Sequence, residues 1–144
     1  MAVLISAADA LTRRLPKLIS PKAHAAGDYL TAGIFLAAST LFWRNNKRAA
    51  LGAVACGGLR LVSSALTDYD GDGSSLVSLQ LHSRVDMGIA AMSAAIPELI
   101  GIKEPGPKRF FIGQAIFITA LANLTDFRPT ARRRLFKVRD RKQA

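Results

Sequence analysis

Two histidines, each followed four residues later by an aspartate, are the side chains of this sequence best suited to chemistry. His24 precedes Asp28 and His82 precedes Asp86, and the sequence has no other histidine. Residues four apart lie on the same face of an α-helix, so each imidazole can meet its own carboxylate. Together, imidazole and carboxylate groups can bind a metal ion, transfer a proton or form a buried ion pair.

Two further aspartates end apolar segments. The tripeptide Leu-Thr-Asp ends at Asp68 and again at Asp126, each time after a run of small and apolar residues. A carboxylate at the C-terminus of a helix opposes the backbone dipole and therefore needs a partner. We predict that His24 bonds to Asp68 and that His82 bonds to Asp126, which would hold together the ends of each helical pair.

The spacing of these residues repeats at an offset of 58 residues. The aligned pairs are His24 with His82, Asp28 with Asp86, Leu66-Thr67-Asp68 with Leu124-Thr125-Asp126, and Tyr69 with Phe127. The alignment needs no gap, which indicates an internal duplication. We predict two helical-hairpin repeats, at residues 21–73 and 74–130. Because each repeat has two helices, both would enter a membrane from the same side, as parallel repeats.

Four apolar segments supply the helices that these repeats require. They cover residues 23–43, 49–67, 79–102 and 108–125, each close to the roughly 20 residues that span a bilayer as a helix. Small residues recur four apart in them, a spacing that lets helices approach closely within a membrane. The predicted fold is all-α: an integral membrane four-helix bundle built from two parallel helical-hairpin repeats. A soluble helical bundle with an alanine-rich core is the alternative.

Both ends of the chain are basic. Twelve of the twenty lysines and arginines lie in residues 13–22 and 128–142, and the formal net charge is +10. Apolar residues at helical spacing in residues 1–20 predict an amphipathic helix on the membrane surface, and residues 131–144 form a basic tail. We expect these ends to bind anionic lipid and not nucleic acid, because no nucleic-acid-binding fold accompanies them. The excess of positive charge beside the termini predicts that both are cytoplasmic.

The other polar features of the sequence indicate structure more than chemistry. Arg60 and Glu98 lie within predicted spans, toward the loops that connect the helices of each hairpin, and should face the interior, a partner or each other. The segment at 68–73, DYDGDG, begins like a calcium loop but lacks the acid expected at the twelfth position, so a turn is predicted. The single cysteine, Cys56, allows neither an internal disulfide nor, alone, a zinc site.

Several functions are open to the two sets of histidine and aspartate residues. They can form a structural polar clamp at the membrane boundary. His24 and His82 could instead be the axial ligands of haem b, or could hold a pair of metal ions with up to four carboxylates. Covalent haem is excluded because no Cys-x-x-Cys-His occurs, and the Glu-x-x-His spacing of di-iron bundles is missing. A proton or ion path through these residues is the remaining alternative.

The repeated pattern extends through most of the chain. HAAGDYLTAGIFLAAST with LTDY, and HSRVDMGIAAMSAAIPELIG with LTDF, lie within about residues 20–128. This pattern resembles that of small bacterial four-helix membrane proteins with a tandem hairpin repeat, of the SPW-repeat type. The resemblance implies the four-helix topology and a bacterial inner membrane, and it implies no activity.

No catalytic motif accompanies these residues, since a P-loop, a G-x-S-x-G sequence and a specific Ser-His-Asp spacing are all absent from the sequence. The predicted function is that of a small integral membrane protein without catalytic machinery, an accessory or structural subunit of a larger membrane complex or a homo-oligomer. One alternative is a haem- or metal-binding redox membrane protein that uses His24 and His82. The other is a small ion or proton channel or transporter.

Overall fold

Four α-helices make up most of the structure. A computed structural model describes residues 16–127, except residues 72 and 74. The helices are α1 (Pro21–Trp43), α2 (Lys47–Ala65), α3 (Leu79–Leu99) and α4 (Pro105–Leu124). Two very short strands, β1 (Thr67–Asp68) and β2 (Val77–Ser78), pair in parallel between α2 and α3. The prediction of an all-α fold is confirmed.

The start of each helix is specified locally. The Ser20 hydroxyl accepts a hydrogen bond from the Ala23 N–H, and Ser78 does the same for Leu81. Such side-chain caps satisfy backbone donors that have no partner within the helix. Proline occupies the first position of α1 and of α4, where its missing N–H costs nothing. After α3, Gly101 has a φ of 66°, which glycine adopts without strain and which ends the helix.

The helices form two hairpins that pack on each other. α1 packs on α2 and α3 packs on α4, while contacts between α2 and α3 and between α1 and α4 join the hairpins. Gly57 allows the close approach of α1 and α2, because a Cβ there would lie 2.8 Å from the Phe35 Cβ and 3.2 Å from the Ala32 oxygen. Phe35, Phe111 and smaller residues, Cys56 among them, fill the apolar core.

The offset of 58 residues recurs in the contacts between the hairpins. α3 and α4 begin 58 residues after α1 and α2. Thr67 pairs with Val77, and Ile19 pairs with Thr125, which are the equivalent positions. Each of these pairings joins the segment before one hairpin to the segment after the other, so the beginning of α1 and the end of α4 lie together.

The segment before α1 differs from the prediction for residues 1–20. Residues 16–20 are not helical, and Ile19 donates to the Leu124 oxygen at 3.1 Å and accepts from the Asp126 N–H at 3.0 Å. The proline at position 21 contributes, because a residue before proline avoids the helical conformation. The predicted amphipathic helix therefore cannot continue to Ser20. Its residues 1–15, and the basic tail at 131–144, lie outside the described residues.

The outward-facing side chains of all four helices are apolar over most of their length. On α2, the exposed residues after Arg48 are Leu51, Val54, Ala55, Leu59, Leu61, Val62 and Ala65. On α4, those after Arg109 are Ile112, Gly113, Ile116, Phe117 and Ala120. α1 carries no exposed charge between Lys22 and Arg44, nor does α3 between Arg84 and Glu98.

One of the four predicted spans meets a strict test of length and composition. Among the described residues, α1 is long and apolar enough to cross a membrane, with a mean hydropathy of 1.3. The other three helices fall short of that test. The reason lies in their composition, since charged residues such as Arg60 in α2 and Asp86 in α3, together with Gly and Ser, lower the mean hydropathy.

Candidate functional site

Five charged or ionisable side chains meet in the interior, near the ends of the helices that adjoin β1. We call them the central cluster: His24 and Asp28 from α1, Arg60 from α2, and His82 and Asp86 from α3. All five are 0% exposed. The two imidazole rings touch edge to face, with their centroids 5.5 Å apart. The structure therefore brings together the two His–Asp pairs that the sequence predicted as site residues.

Each histidine lies closer to the aspartate of the other hairpin than to its own. The Nε2 of His24 is 3.0 Å from Oδ2 of Asp86, and the Nε2 of His82 is 2.9 Å from Oδ2 of Asp28. The distances to the aspartate four residues away are 3.4 Å for His24 and 3.3 Å for His82. These crossed contacts bind the two hairpins to each other.

Arg60 bridges the two carboxylates of the central cluster. Its Nη1 donates to Oδ1 of Asp86 at 2.8 Å, and its Nη2 donates to Oδ1 of Asp28 at 2.5 Å. The position 58 residues later holds Ile118, which is fully buried in the apolar core. One planar guanidinium thus serves both halves of an otherwise symmetric arrangement, since its donors match two separate carboxylate oxygens.

Arg60 faces the interior, which is one of the predicted alternatives. The alternative of a pair with Glu98 is wrong, and so is the predicted position of Arg60 toward the loops. Glu98 is exposed and its Oε1 lies 2.7 Å from Nζ of Lys108. Arg60 lies in the last turns of α2, at the end of the bundle where the central cluster is, whereas Glu98 ends α3 at the other end. The two side chains therefore belong to opposite ends of the molecule.

Two threonines orient the imidazoles from the other side. The Nδ1 of His24 is 2.7 Å from the Thr125 hydroxyl, and the Nδ1 of His82 is 2.9 Å from the Thr67 hydroxyl. Each hydroxyl donates its proton to a carbonyl one turn earlier in its chain, at 2.6 Å and 2.7 Å respectively. Since a hydroxyl has one proton, we assign the proton of this contact to the Nδ1 of His24, and by analogy to that of His82.

Tyr69 adds a donor to one half of the central cluster. Its hydroxyl donates to Oδ2 of Asp28 at 2.5 Å, and its ring packs edge to face on His82. Burial, and then this hydrogen bond to Asp28, raises the pKa of the Tyr69 hydroxyl above its ordinary value, so the phenol remains a donor. Phe127 packs in the same way on His24 and has no hydroxyl.

The predicted pairs of His24 with Asp68 and of His82 with Asp126 are wrong. Both ring nitrogens of each histidine contact other groups, and the Asp68 carboxylate accepts from the N–H groups of Gly71 and Gly73 at 2.7 Å. Adjacent residues of an extended segment point to opposite sides. The buried threonine of each Leu-Thr-Asp therefore meets a histidine, and the aspartate beside it does not.

Asp68 serves instead to shape the turn that follows it. Its two oxygens receive two backbone donors of the segment DYDGDG, at positions with glycine in the left-handed region. Asp70 lies 3.1 Å from Lys22, and Asp72 falls outside the described residues. These contacts agree with the predicted turn.

Sequence reasoning missed four contributors to this site: Ser63, Thr67, Tyr69 and Thr125. Ser63 supplements Thr67, with its Oγ 3.1 Å from Nδ1 of His82. Both threonines belong to the repeated Leu-Thr-Asp motif, so the sequence contained an indication of their role. The aspartate beside each threonine was predicted instead, because a carboxylate is the stronger hydrogen-bond partner for a histidine. Burial distinguishes the threonine from the aspartate beside it, since Thr125 is 0% exposed and Asp126 is half-buried.

The geometry of the central cluster argues against both haem and a pair of metal ions. Haem does not fit, because the carboxylates of Asp28 and Asp86 and the guanidinium of Arg60 occupy the space that the macrocycle would need between the imidazoles. A single metal ion fits better, since His24, Asp28, His82 and Asp86 offer ligand atoms that all lie within 4.8 Å of one another. A pair of ions would need further carboxylates, and that of Asp68 holds the turn.

Comparisons with protein-family models, with curated proteins and with solved structures found no match to this chain. The resemblance to SPW-repeat proteins therefore stays a prediction.

Proposed function

We propose that this chain is a small integral membrane protein with four spans in two parallel hairpins, and that it acts as a non-catalytic subunit of a larger membrane complex. The observation that carries the proposal is the distribution of polarity. Arg60, two aspartates and two histidines are fully buried, while large apolar residues such as Leu51, Val62 and Ile116 are exposed. Water-soluble proteins rarely bury charges and rarely expose large contiguous apolar surfaces.

The lengths of the uncharged surfaces suit a bilayer. At 1.5 Å per residue, the uncharged outer faces are about 33 Å long on α1, about 27 Å on α2 and about 21 to 22 Å on α3 and α4. The hydrocarbon core of a bilayer is about 30 Å thick, and long arginine side chains can reach from shorter helices to the interface. Within a membrane, charged residues face the interior and pair with one another, as those of the central cluster do.

We propose that the side of the bundle where α1 begins and α4 ends faces the cytoplasm across a bacterial inner membrane, because the basic segments at 13–22 and 128–142 adjoin those helix ends in the sequence. Those segments would also bind anionic lipid headgroups. The loops between α1 and α2 and between α3 and α4 would then face the opposite side.

We expect the protein to stay in the membrane fraction when membranes are washed with alkaline carbonate. Four apolar outer faces would remain in lipid, whereas a soluble bundle attached through its basic ends would be released as those attachments fail. The measurement is an immunoblot of pellet and supernatant, with one peripheral and one integral protein as controls. Complete release into the supernatant without detergent contradicts the proposal, and an active periplasmic reporter at the C-terminus contradicts the orientation.

A groove on the outer surface supports the role of a subunit. It lies between α3 and α4, has a volume of about 690 Å³ and is lined without any charged residue. Its walls include Ala90, Ala91, Ala94, Ala115, Ile116 and Ala120. In the first hairpin the equivalent of Ala94 is Leu36, and Gly57 brings the helices close together. We assign the groove to an uncharged transmembrane helix of a partner subunit, because a lining of small residues lets a helix approach closely.

Replacing Ala94 by leucine should fill this groove and weaken the complex. Overpacking of a fitted contact costs about 1–3 kcal/mol, which is at least about fivefold in affinity. The matched control is Ala37→Leu, an exposed alanine on α1 that does not line the groove. Native-mass separation of gently solubilised membranes measures the result. If the Ala94→Leu protein enters the same large complex as wild type, or if wild type migrates alone, a partner helix does not occupy the groove.

A channel along the bundle axis has less support. Between the central cluster and the loops of the hairpins, the described interior is mostly apolar and includes Phe35, Ile96 and Phe111, with isolated buried hydroxyls such as those of Ser39 and Ser93. An ion crossing the bundle would find few polar groups in this core to replace its hydration shell.

A further inference from the structure

The hydrogen bonds around the central cluster leave two positions that only a cation can fill. Because Thr125 donates its proton to the Leu121 oxygen, the Nδ1 of His24 is the donor in their contact. The Nε2 of a neutral imidazole with Nδ1–H carries a lone pair. That nitrogen faces Oδ2 of Asp86 at 3.0 Å. Two lone pairs at this distance repel, so a proton or a metal ion must lie between the atoms.

The other half has a similar contact, in which the Nε2 of His82 faces Oδ2 of Asp28 at 2.9 Å. The Nδ1 of His82 contacts two hydroxyls, that of Thr67 at 2.9 Å and that of Ser63 at 3.1 Å. We assign this Nδ1 as the donor, because the nearer hydroxyl already donates to a carbonyl. Arg60 cannot supply the missing positive charge at these positions, because it bonds to Oδ1 of each aspartate and not to Oδ2. The arrangement therefore requires two protons, one for each contact, or one divalent ion shared by all four atoms.

The four atoms have the spacing that a tetrahedral ion needs. Metal–ligand bonds of 2.0–2.1 Å in a tetrahedral zinc site place neighbouring ligand atoms about 3.3 Å apart. Three nitrogen–oxygen distances among these atoms are 2.9, 3.0 and 3.3 Å, and the ligand atoms that the four residues offer all lie within 4.8 Å of one another. An ion could enter after side-chain adjustments that draw these atoms to the tetrahedral spacing.

The surrounding groups match those that support metal ligands. A histidine ligand ordinarily donates its second ring nitrogen to an oxygen, and a carboxylate ligand ordinarily accepts a hydrogen bond on its other oxygen. Thr125 and Thr67 provide the first kind of partner, and Arg60 provides the second kind to both aspartates. Two imidazoles and two carboxylates, without a thiolate, suit a first-row divalent cation such as Zn²⁺ better than Mg²⁺ or Ca²⁺.

We propose that the central cluster is a binding site for one divalent transition-metal ion, held by Nε2 of His24 and His82 and by Oδ2 of Asp28 and Asp86. Arg60 acts outside the ligand set and orients both carboxylates. The ion replaces the two protons of the metal-free state, so the charge of the site is the same in both states. This assignment is independent of the proposed role as a subunit.

The test uses the full chain, purified in detergent and stripped with a chelator. Added Co²⁺ should produce the intense visible absorption of a tetrahedral site, saturate at about one ion per chain and be displaced by Zn²⁺. Calorimetry of Zn²⁺ binding in buffers with different ionisation enthalpies should show release of about two protons per ion. Absence of the tetrahedral spectrum in wild type overturns the proposal, and so does binding without proton release.

Variants separate the assigned ligands from an adventitious surface site. His24→Gln should lower Co²⁺ affinity by more than about 100-fold, because it removes a ligand. Thr125→Val should lower it by about 10–100-fold, because it removes the partner that orients His24. Thr40→Val is the matched control, since this exposed hydroxyl also donates to a nearby carbonyl but contacts no histidine. Equal affinity in His24→Gln and wild type contradicts the assignment.

A variant of Arg60 gives a second readout that leaves the ligand set intact. Arg60→Met keeps all four ligands and leaves two carboxylates without their common partner. If the central cluster binds an ion, Zn²⁺ should raise the melting temperature of this variant more than that of wild type. If Zn²⁺ changes neither melting temperature, the cluster is an ion-pair network alone and the proposal is wrong.

Discussion

Replacing Arg60 by methionine is expected to lower the free energy of unfolding by about 3–5 kcal/mol when a chelator is present. Removal of one member of a buried ionic network leaves the groups that it bonded without partners in the interior. Asp28 and Asp86 would then face each other in the interior with no cation bonded to either Oδ1. Methionine keeps much of the volume of arginine, so the loss reports charge more than packing.

The control for this change is Arg109→Met, which removes an exposed arginine from α4 and should alter stability by less than about 0.5 kcal/mol. Thermal unfolding in detergent, followed by circular dichroism, measures both. Adding Asp28→Asn and Asp86→Asn to Arg60→Met should recover part of the loss, since neutral amides need no compensating cation. An Arg60→Met protein as stable as the Arg109→Met protein would show that the network contributes little.

A double-mutant cycle on His24 should distinguish the crossed contacts of the structure from contacts within one hairpin. We expect His24→Ala to cost about 3 kcal/mol, because Asp86 loses the partner at 3.0 Å. His24→Ala and Asp86→Asn should couple by about 1–3 kcal/mol, since the two groups are in direct contact. His24→Ala and Asp68→Asn should be additive within about 0.5 kcal/mol, because the Asp68 carboxylate bonds to a turn.

The equivalent cycle in the other half serves as the internal check. His82→Ala should couple to Asp28→Asn and not to Asp126→Asn, because His82 contacts Asp28 at 2.9 Å. If His24 couples to Asp68 and not to Asp86, the pairing predicted from the sequence is right and the crossed contacts are wrong. Melting curves of the six single and four double variants, recorded in the same detergent, provide the comparison.

The two His–Asp pairs of the site could be predicted from the sequence, but their partners could not. His24, Asp28, His82 and Asp86 stood out because their types and spacing repeat. A repeated sequence, however, is equally compatible with contacts inside one hairpin and with contacts exchanged between two, because both obey the same periodicity. Packing makes that choice, and it depends on features such as the close approach at Gly57, which local patterns do not encode.

Arg60 shows a second limit of sequence reasoning. A pair with Glu98 is one alternative that the sequence offers, because both charges lie within apolar segments and were placed toward the loops. The direction of α2 carries Arg60 to the end of the bundle where α1 and α3 begin, and there two buried carboxylates outweigh one exposed glutamate. Arg60 occurs in only one half of the sequence, and the equivalent position in the other half holds Ile118. The repeated pattern therefore gave no indication of the partners of Arg60.

The exchange of partners between hairpins also has a consequence for biosynthesis. When the first hairpin leaves the ribosome, Asp28 and Arg60 are present, but the histidine that contacts Asp28 and the threonine that contacts His24 have not been made. Thr125 lies just after α4, and the pairing of Ile19 with it joins the beginning of the described chain to its end. Domains form from the N-terminal side during translation. If the protein spans a membrane as we propose, a truncated product would expose the Asp28–Arg60 pair and His24 to lipid without the partners that the second hairpin supplies, until that hairpin has been inserted.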